Sequence, residues 1–519
     1  MIDFKVKKLE DMTVKEKIGQ MVMGGFPSTY YDETIKELVE EYNLGNIILF
    51  TRNYNGADLM KKLCIDIHTN IINKCGTLPL ISIDQEGGSV TRMMKEVAFA
   101  PSAMTCGATS VEDASYKCGK ALARDMISLG INMNLAPCLE INNGCMNFTH
   151  NIRSYGSDPA KVSRFVKRFI DGENEYGIIS TCKHFPGGGD STRDSHLELP
   201  RIDAGFDRIW NFTLTPFKEN IGVSAVMSTH ILFPALDKDY PTTLSKPSIT
   251  GLLREKLGYD GIVISDGLMM RAISDKYGVG DAGLMFLKAG GNIALVCHEK
   301  ENIIKLIKRL WKAYEDGELT EELIDERVSR ILRYKEKTIA YLNKYFNNNA
   351  PFTVDNKANE EMQEIVDRSI TLIKGSKPRI GKNTLVLCPV ASVASQAEDV
   401  FDERDLAKEL KKHYNNKIYK FEKSEEFREL IDKELEAYED VIIMSYDCRN
   451  DQVQIDTIND CIAKKKDKAY VISLKGPMDS QLFKDLKNYM VLYEYTPNSI
   501  RTLIKFFKGE LECEGKLPL

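Results

Sequence analysis

The sequence predicts a (β/α)8 barrel followed by a smaller open α/β sandwich domain with a mainly parallel sheet. Three observations lead there. Short apolar runs recur through roughly the first 300 residues, each followed by a helix-length amphipathic stretch. There are eight such units, the number that closes a barrel. After a polar break at Asn347-Asn348-Asn349-Ala350-Pro351 the alternation returns on a smaller scale. Continuous apolar strands separated by helices belong to a parallel sheet covered on both faces.

Taken in order, the eight expected strands are Gln20–Phe26, Asn46–Phe50, Leu78–Asp84, Asn132–Ile141, Ile178–Phe185, Ala225–Leu232, Gly261–Asp266 and Asn292–Cys297. A doubly wound sheet, the alternative, has fewer strands as a rule. A long charged helical stretch, about Glu321–Tyr345, closes this part. The break that follows contains a proline, and the domain boundary is expected there: 1–346 for the barrel, 347–519 for the second domain. Five strands are expected in that domain: Thr384–Val390, Lys417–Phe421, Val441–Ser445, Ala469–Leu474 and Met490–Tyr495. Its Lys- and Glu-rich stretches, Glu403–Lys412 and Lys423–Glu436, read as solvated helix faces.

Composition narrows the function. The 519 residues hold 70 Lys+Arg against 76 Asp+Glu, a net charge of −6, with 43% hydrophobic and 28% charged residues. That is ordinary for a globular protein and lacks the basic excess of a nucleic-acid binder. Charges interrupt the start, Met1-Ile2-Asp3-Phe4-Lys5-Val6-Lys7-Lys8, so no signal-peptide core is visible. No apolar run approaches the roughly 20 residues of a membrane helix. The expectation is a cytoplasmic protein with no membrane or nucleic-acid partner. The twelve cysteines are scattered, many inside apolar runs such as Leu295-Val296-Cys297, and read as reduced, buried thiols. With no CxxC or HExxH pattern, no metal is expected.

In a barrel, function sits at the carboxyl ends of the strands. Five adjacent runs end in reactive residues. The third ends Asp84-Gln85-Glu86-Gly87-Gly88, with Arg92 eight residues on. The fourth leads through Asn143 and Asn147 to Arg153-Ser154-Tyr155-Gly156. The fifth ends Lys183-His184-Phe185-Pro186, followed by three glycines, Asp190 and Asp194-Ser195-His196. The sixth ends Met227-Ser228-Thr229-His230 and the seventh Ser265-Asp266-Gly267. One aspartate after a strand is often only a helix cap. His150, His298 and His413 look isolated and are expected to be structural or exposed. Five polar strand ends at one mouth are harder to explain as caps.

Carboxylates beside Lys, Arg and His suit a polyhydroxylated substrate, because carboxylates accept from vicinal hydroxyls and cations donate to them. Cleaving a sugar needs a nucleophile or base on one face and a proton donor on the other. Asp266 can be the first. Asp194-Ser195-His196 can supply the second: in an extended loop residues i and i+2 share a face, so Asp194 can hold the His196 ring.

These residues resemble a known family. Lys183-His184-Phe185-Pro186-Gly187 with Asp194-Ser195-His196 and Leu199-Pro200 resembles the signature of the β-N-acetylglucosaminidases of glycoside hydrolase family 3. Asp84-Gln85-Glu86-Gly87-Gly88 with Arg92, Arg153-Ser154-Tyr155-Gly156, Gly258-Tyr259-Asp260-Gly261 before Ser265-Asp266, and the final Gly515-Lys516-Leu517-Pro518 match it as well. The resemblance covers nearly the whole chain. It implies that Asp266 is the nucleophile of a retaining double displacement, that His196 is the acid/base and that Asp194 is its partner. It also implies that Asp84, Arg92, Arg153, Lys183 and His184 bind the sugar, that Met227 lines the floor and that no cofactor is used. The sequence departs from the family pattern at Gly188 (His is common), Gly267 (Asp), Asn292 (Asp) and Asn151-Ile152 before Arg153. The expected substrates are cell-wall fragments or chitooligosaccharides. Two alternatives stand beside this: a phosphorylase taking phosphate as acceptor, since a histidine acid/base does not repel a phosphate dianion, and a non-catalytic sugar-binding protein.

Overall fold

The computed structural model describes residues 1–144, 151–191, 198–348, 350–390, 398 and 405–519. Asn147 and the Asp194-Ser195-His196 segment lie outside the described residues.

All eight apolar runs form parallel strands of one sheet. They are β1 (Val22–Gly24), β2 (Asn46–Leu49), β3 (Leu80–Ile83), β4 (Met133–Asn134), β5 (Ile179–Phe185), β6 (Ala225–Ser228), β7 (Ile262–Ser265) and β8 (Ala294–Val296). The order is β8-β1-β2-β3-β4-β5-β6-β7. The ring closes where Ser265 N donates to Ile293 O and Ile293 N to Val263 O, both at 3.1 Å. Every strand residue but Gln-, Ser-, Thr-, Asn- and Lys-type exceptions is apolar and buried, as a strand covered on both faces requires. β4 is much shorter than the apolar run that predicts it. Pro137 has no N–H to give the ladder, and after it only the isolated Cys138–Lys183 bridge remains. Helix Glu321–Tyr341 starts at an N-cap, Thr320, whose side chain accepts from Leu323 N. It ends in one wider helical turn, Leu342–Phe346.

The second sheet has six strands: β9 (Thr371–Lys374), β10 (Thr384–Cys388), β11 (Ile418–Lys420), β12 (Asp440–Ser445), β13 (Ala469–Ser473) and β14 (Asn488–Val491). The order is β9-β14-β13-β12-β10-β11, parallel except for β9, which runs antiparallel to β14 at the edge. β9 is the strand that sequence periodicity does not reveal: it has four residues and only its first is buried. Alternate residues face two cores. Leu385, Leu387, Val441, Ile443 and Val471 share one with Met104, Ala108 and Ile152 of the barrel loops. Val386, Cys388, Ile442, Met444 and Ile472 face the other.

The two parts are joined close to the barrel mouth. The buried Glu494 carboxylate accepts from Ser102 N at 2.6 Å and Thr105 Oγ1 at 3.0 Å. Residues Gly515–Pro518 strap back across the barrel: Lys516 N donates to Ala108 O and Pro518 O accepts from Ser157 N. Gly156, at φ +145°, lets the strap approach, since a Cβ there would lie 2.3 Å from Pro518 O. The strap therefore presses on the loop that carries Arg153.

Candidate active site

The carboxyl ends of the barrel strands surround a cavity of about 260 Å³. Asp84, Arg92, Arg153, Lys183, His184, Met227 and Asp266 all line it. Seven of the nine residues singled out from the sequence are thus brought together; His196 and Asp194 are the two outside the described residues.

Each side chain has a local reason for its position. Asp84 directly follows β3. Beyond it a two-stranded ribbon, Gln85–Gly87 against Val90–Thr91, turns the chain back so that Arg92 re-enters the mouth. Gln85 pins that return: its Oε1 accepts from Arg92 N at 3.0 Å and Met93 N at 3.2 Å. Lys183 and His184 lie on β5 itself, on opposite faces of an extended chain. Arg153 enters from the loop clamped by the C-terminal strap. Asp266 follows β7, with its Oδ1 accepting from Gly267 N at 2.8 Å.

The charges form one connected network. Lys183 Nζ stands 2.7 Å from both Asp84 Oδ1 and Glu86 Oε1. Arg153 holds Glu86 with two parallel hydrogen bonds, 2.9 and 2.7 Å, the strong fork geometry. Arg92 Nη2 lies 3.4 Å from Asp84 Oδ2. Burial alone would raise the Asp84 and Glu86 carboxyls. The adjoining Lys183, Arg92 and Arg153 outweigh it and hold both below the usual carboxylate range. Burial would lower Lys183, but Asp84 and Glu86 reverse this and push it up. All five groups are therefore ionised at neutral pH, and a hydroxyl-bearing ligand meets fixed acceptors and donors.

Glu86 is the residue that sequence reasoning passed over, though it lies in a quoted motif. Its signal was available: it sits two residues after Asp84 and so returns to the same side of the chain. Glu140 was also missed. It is buried and accepts from His184 N at 2.9 Å and lies 2.7 Å from His184 Nδ1, which fixes the ring. His298, expected to be isolated, is instead in the cavity wall with Cys297, at the end of β8. Its ring lies 4.9 Å from Phe50, and partial burial with Arg52 and Arg92 nearby pushes it down to about 4. A neutral imidazole cannot donate the proton that the reaction needs. His230 is buried beneath Asp266, with Nε2 3.0 Å from Gly267 O and Nδ1 2.8 Å from Thr243 Oγ1. Asn143 contacts Asp190, away from the Lys183 network. At the opposite end of the barrel, Asn292 Oδ1 accepts from Val263 N at 2.9 Å and Arg254 Nη2 at 2.5 Å, so this departure from the family pattern serves the strand ladder.

Among the described residues one donor group is tight enough to hold a cation. Cys138, Glu140 and His184 offer atoms within 4.8 Å of one another. Arg153 and Lys183 adjoin this group and oppose a divalent ion there. The His184–Glu140 hydrogen bond is the interaction the geometry favours. No helix among the described residues is long and apolar enough to cross a membrane.

Comparison with known proteins places this geometry. Residues 13–334 match the model of the glycosyl hydrolase family 3 N-terminal domain. β-Hexosaminidase A of Pseudoalteromonas piscicida is 33% identical over 328 residues, 58% of this chain and 55% of that protein, so the match spans about half of that relative's length. A β-hexosaminidase of Haemophilus influenzae is 31% identical over 281 residues, 53% of this chain and 78% of its own. A solved β-N-acetylglucosaminidase of glycoside hydrolase family 3 from Paenibacillus sp. str. FPU-7 superposes with a TM-score of 0.90 at 33% identity, covering 98% of both chains. With its barrel matched to the family model over most of its length, the chain belongs to glycosyl hydrolase family 3.

Proposed function

We propose that this protein is a retaining exo-β-N-acetylglucosaminidase, releasing terminal N-acetylglucosamine from cell-wall fragments or chitooligosaccharides. The carrying observation is the convergence of Asp84, Arg92, Arg153, Lys183, His184, Met227 and Asp266 on one cavity. In this reading the Asp84 carboxylate accepts from sugar hydroxyls, and the cations beside it donate to them. Asp266 attacks the anomeric carbon from the floor of the mouth. His196, oriented by Asp194, first protonates the leaving oxygen and then takes a proton from the incoming water. The relatives' printed activities, β-hexosaminidase and β-N-acetylglucosaminidase, support the choice of sugar. The barrel and the second domain are taken as 1–346 and 347–519, with helix Asn356–Asp367 packed between them.

The test is product analysis on an aryl β-N-acetylglucosaminide, followed by NMR before mutarotation. The reading expects β-N-acetylglucosamine as first product at any phosphate concentration. An α-configured first sugar overturns retention. A sugar 1-phosphate at millimolar phosphate would make the enzyme a phosphorylase, and binding without turnover a non-catalytic protein.

A further inference from the structure

The segments leaving β7 and β8 build more than the wall of the sugar cavity. Helix Arg271–Tyr277 begins with Arg271 at that cavity, while Ser274 and Tyr277, one turn apart, face a second depression. Cys297 and His298 end at the cavity; Glu299, the next residue, faces the second depression. Asn302, Lys305 and Arg309, spaced i, i+3 and i+7 on helix Lys300–Glu315, line it on one face. Gly278–Asp281 form the remaining side. Its volume is about 480 Å³, within the range of ligand sites.

Met269 lines both spaces, so a single side chain separates them. Its sulfur accepts from His298 N at 3.2 Å, which fixes that divider. Around the second depression most polar groups are matched internally. Arg309 pairs with Asp281 at 2.7 Å and with Glu318 at 2.9 Å. Asn302 donates to Glu299 at 2.7 Å. Two groups are not matched among the described residues: Lys305 makes no ion pair, and the Tyr277 hydroxyl is buried without a hydrogen-bond partner. A hydroxyl withheld from both water and protein costs free energy that a ligand hydroxyl would recover.

We propose that this second depression is a leaving-group site, binding the saccharide units that lie beyond the scissile bond of an oligosaccharide. The chain of the substrate crosses over Met269, and Tyr277 and Lys305 hydrogen-bond its hydroxyl and amide groups. This rests on the reading that cleavage occurs at Asp266.

The experiment compares Lys305→Ala, Tyr277→Phe and their combination with the unaltered protein. The substrates are an aryl β-N-acetylglucosaminide, whose leaving group ends at the first cavity, and N-acetylglucosamine oligomers of two to five units. KM for the longer oligomers is expected to rise about fivefold or more in the double variant, the size of one or two lost hydrogen bonds. Aryl-glycoside kcat and KM stay within about twofold. Equal effects on both substrate classes, no effect on the oligomers, or no oligomer cleavage by the unaltered protein would overturn the proposal. Failure of the underlying reading is distinct: it shows as normal aryl turnover in Asp266→Ala.

Discussion

Two sets of strand ends in this molecule carry buried charge, and they use it differently. In the barrel, Lys183 bridges Asp84 and Glu86 at 2.7 Å, and the group lines a cavity. In the second sheet, Lys475 follows β13 and pairs with Glu398 at 2.8 Å, while Asp447 pairs with Arg449 at 2.7 Å. Asp479 accepts from Ser445 and Ser473, and burial pushes it up to about 6. Lys183 and Lys475 are equally buried, each with its side chain 2% exposed. The carboxylates they hold differ in surroundings. Asp84 keeps 15% of its side chain exposed, toward the cavity. Glu398 faces Ser89 Oγ of the barrel, 3.4 Å away. A buried ion pair is thus not by itself a sign of function; an ion pair that borders a cavity has something left to offer a ligand.

That comparison can be broken by parallel substitutions. Lys183→Met leaves two buried carboxylates facing each other. We expect kcat/KM on the aryl glycoside to fall on the order of 10³-fold, and stability to drop by about 3–5 kcal/mol in urea titration, the usual cost of breaking a buried pair. Lys475→Met should lower stability by a similar amount and leave kcat/KM within about twofold. A loss of activity matching that of Lys183→Met would erase the distinction between the two clusters. Glu86→Gln keeps the shape but weakens the hold on Arg153 and Lys183. KM should rise about tenfold or more, since charged hydrogen bonds are worth about 1.5–3 kcal/mol each, with a smaller change in kcat; an unaltered KM would deny Glu86 this positioning role.

The smallest effect concerns Glu173, which accepts from Asn134 Nδ2 at 2.6 Å behind the Gln85 ribbon. Burial raises its carboxyl from 4.5 to about 8. The folded state therefore binds the extra proton between these values, and the stability it contributes is present below about 4.5 and lost as pH rises toward about 8. Glu173→Gln cannot titrate, so its urea midpoint should fall less steeply from about pH 5 to 8 than that of the unaltered protein. Parallel pH profiles would contradict this.

Much of this architecture was legible because apolar runs and strand ends are local signals. Lys183, His184 and Asp266 could be read from their place at strand ends, and Arg92 and Arg153 from the family resemblance. What stayed hidden depended on contacts across the chain. Glu86 matters through Arg153, 67 residues away, and Glu140 through His184, 44 residues away. His298 looked isolated because its neighbours, Phe50 and Arg92, come from other βα units. β9 was missed because an exposed four-residue edge strand carries little pattern.

The central claim is that Asp266 is the nucleophile of the cavity. It is tested most directly by Asp266→Ala, assayed on an aryl β-N-acetylglucosaminide with and without azide. The account predicts a rate loss on the order of 10⁴-fold or more, as for other catalytic nucleophiles, with azide partly restoring turnover and giving the α-glycosyl azide. A rate within about tenfold of the unaltered protein, without azide, would contradict it.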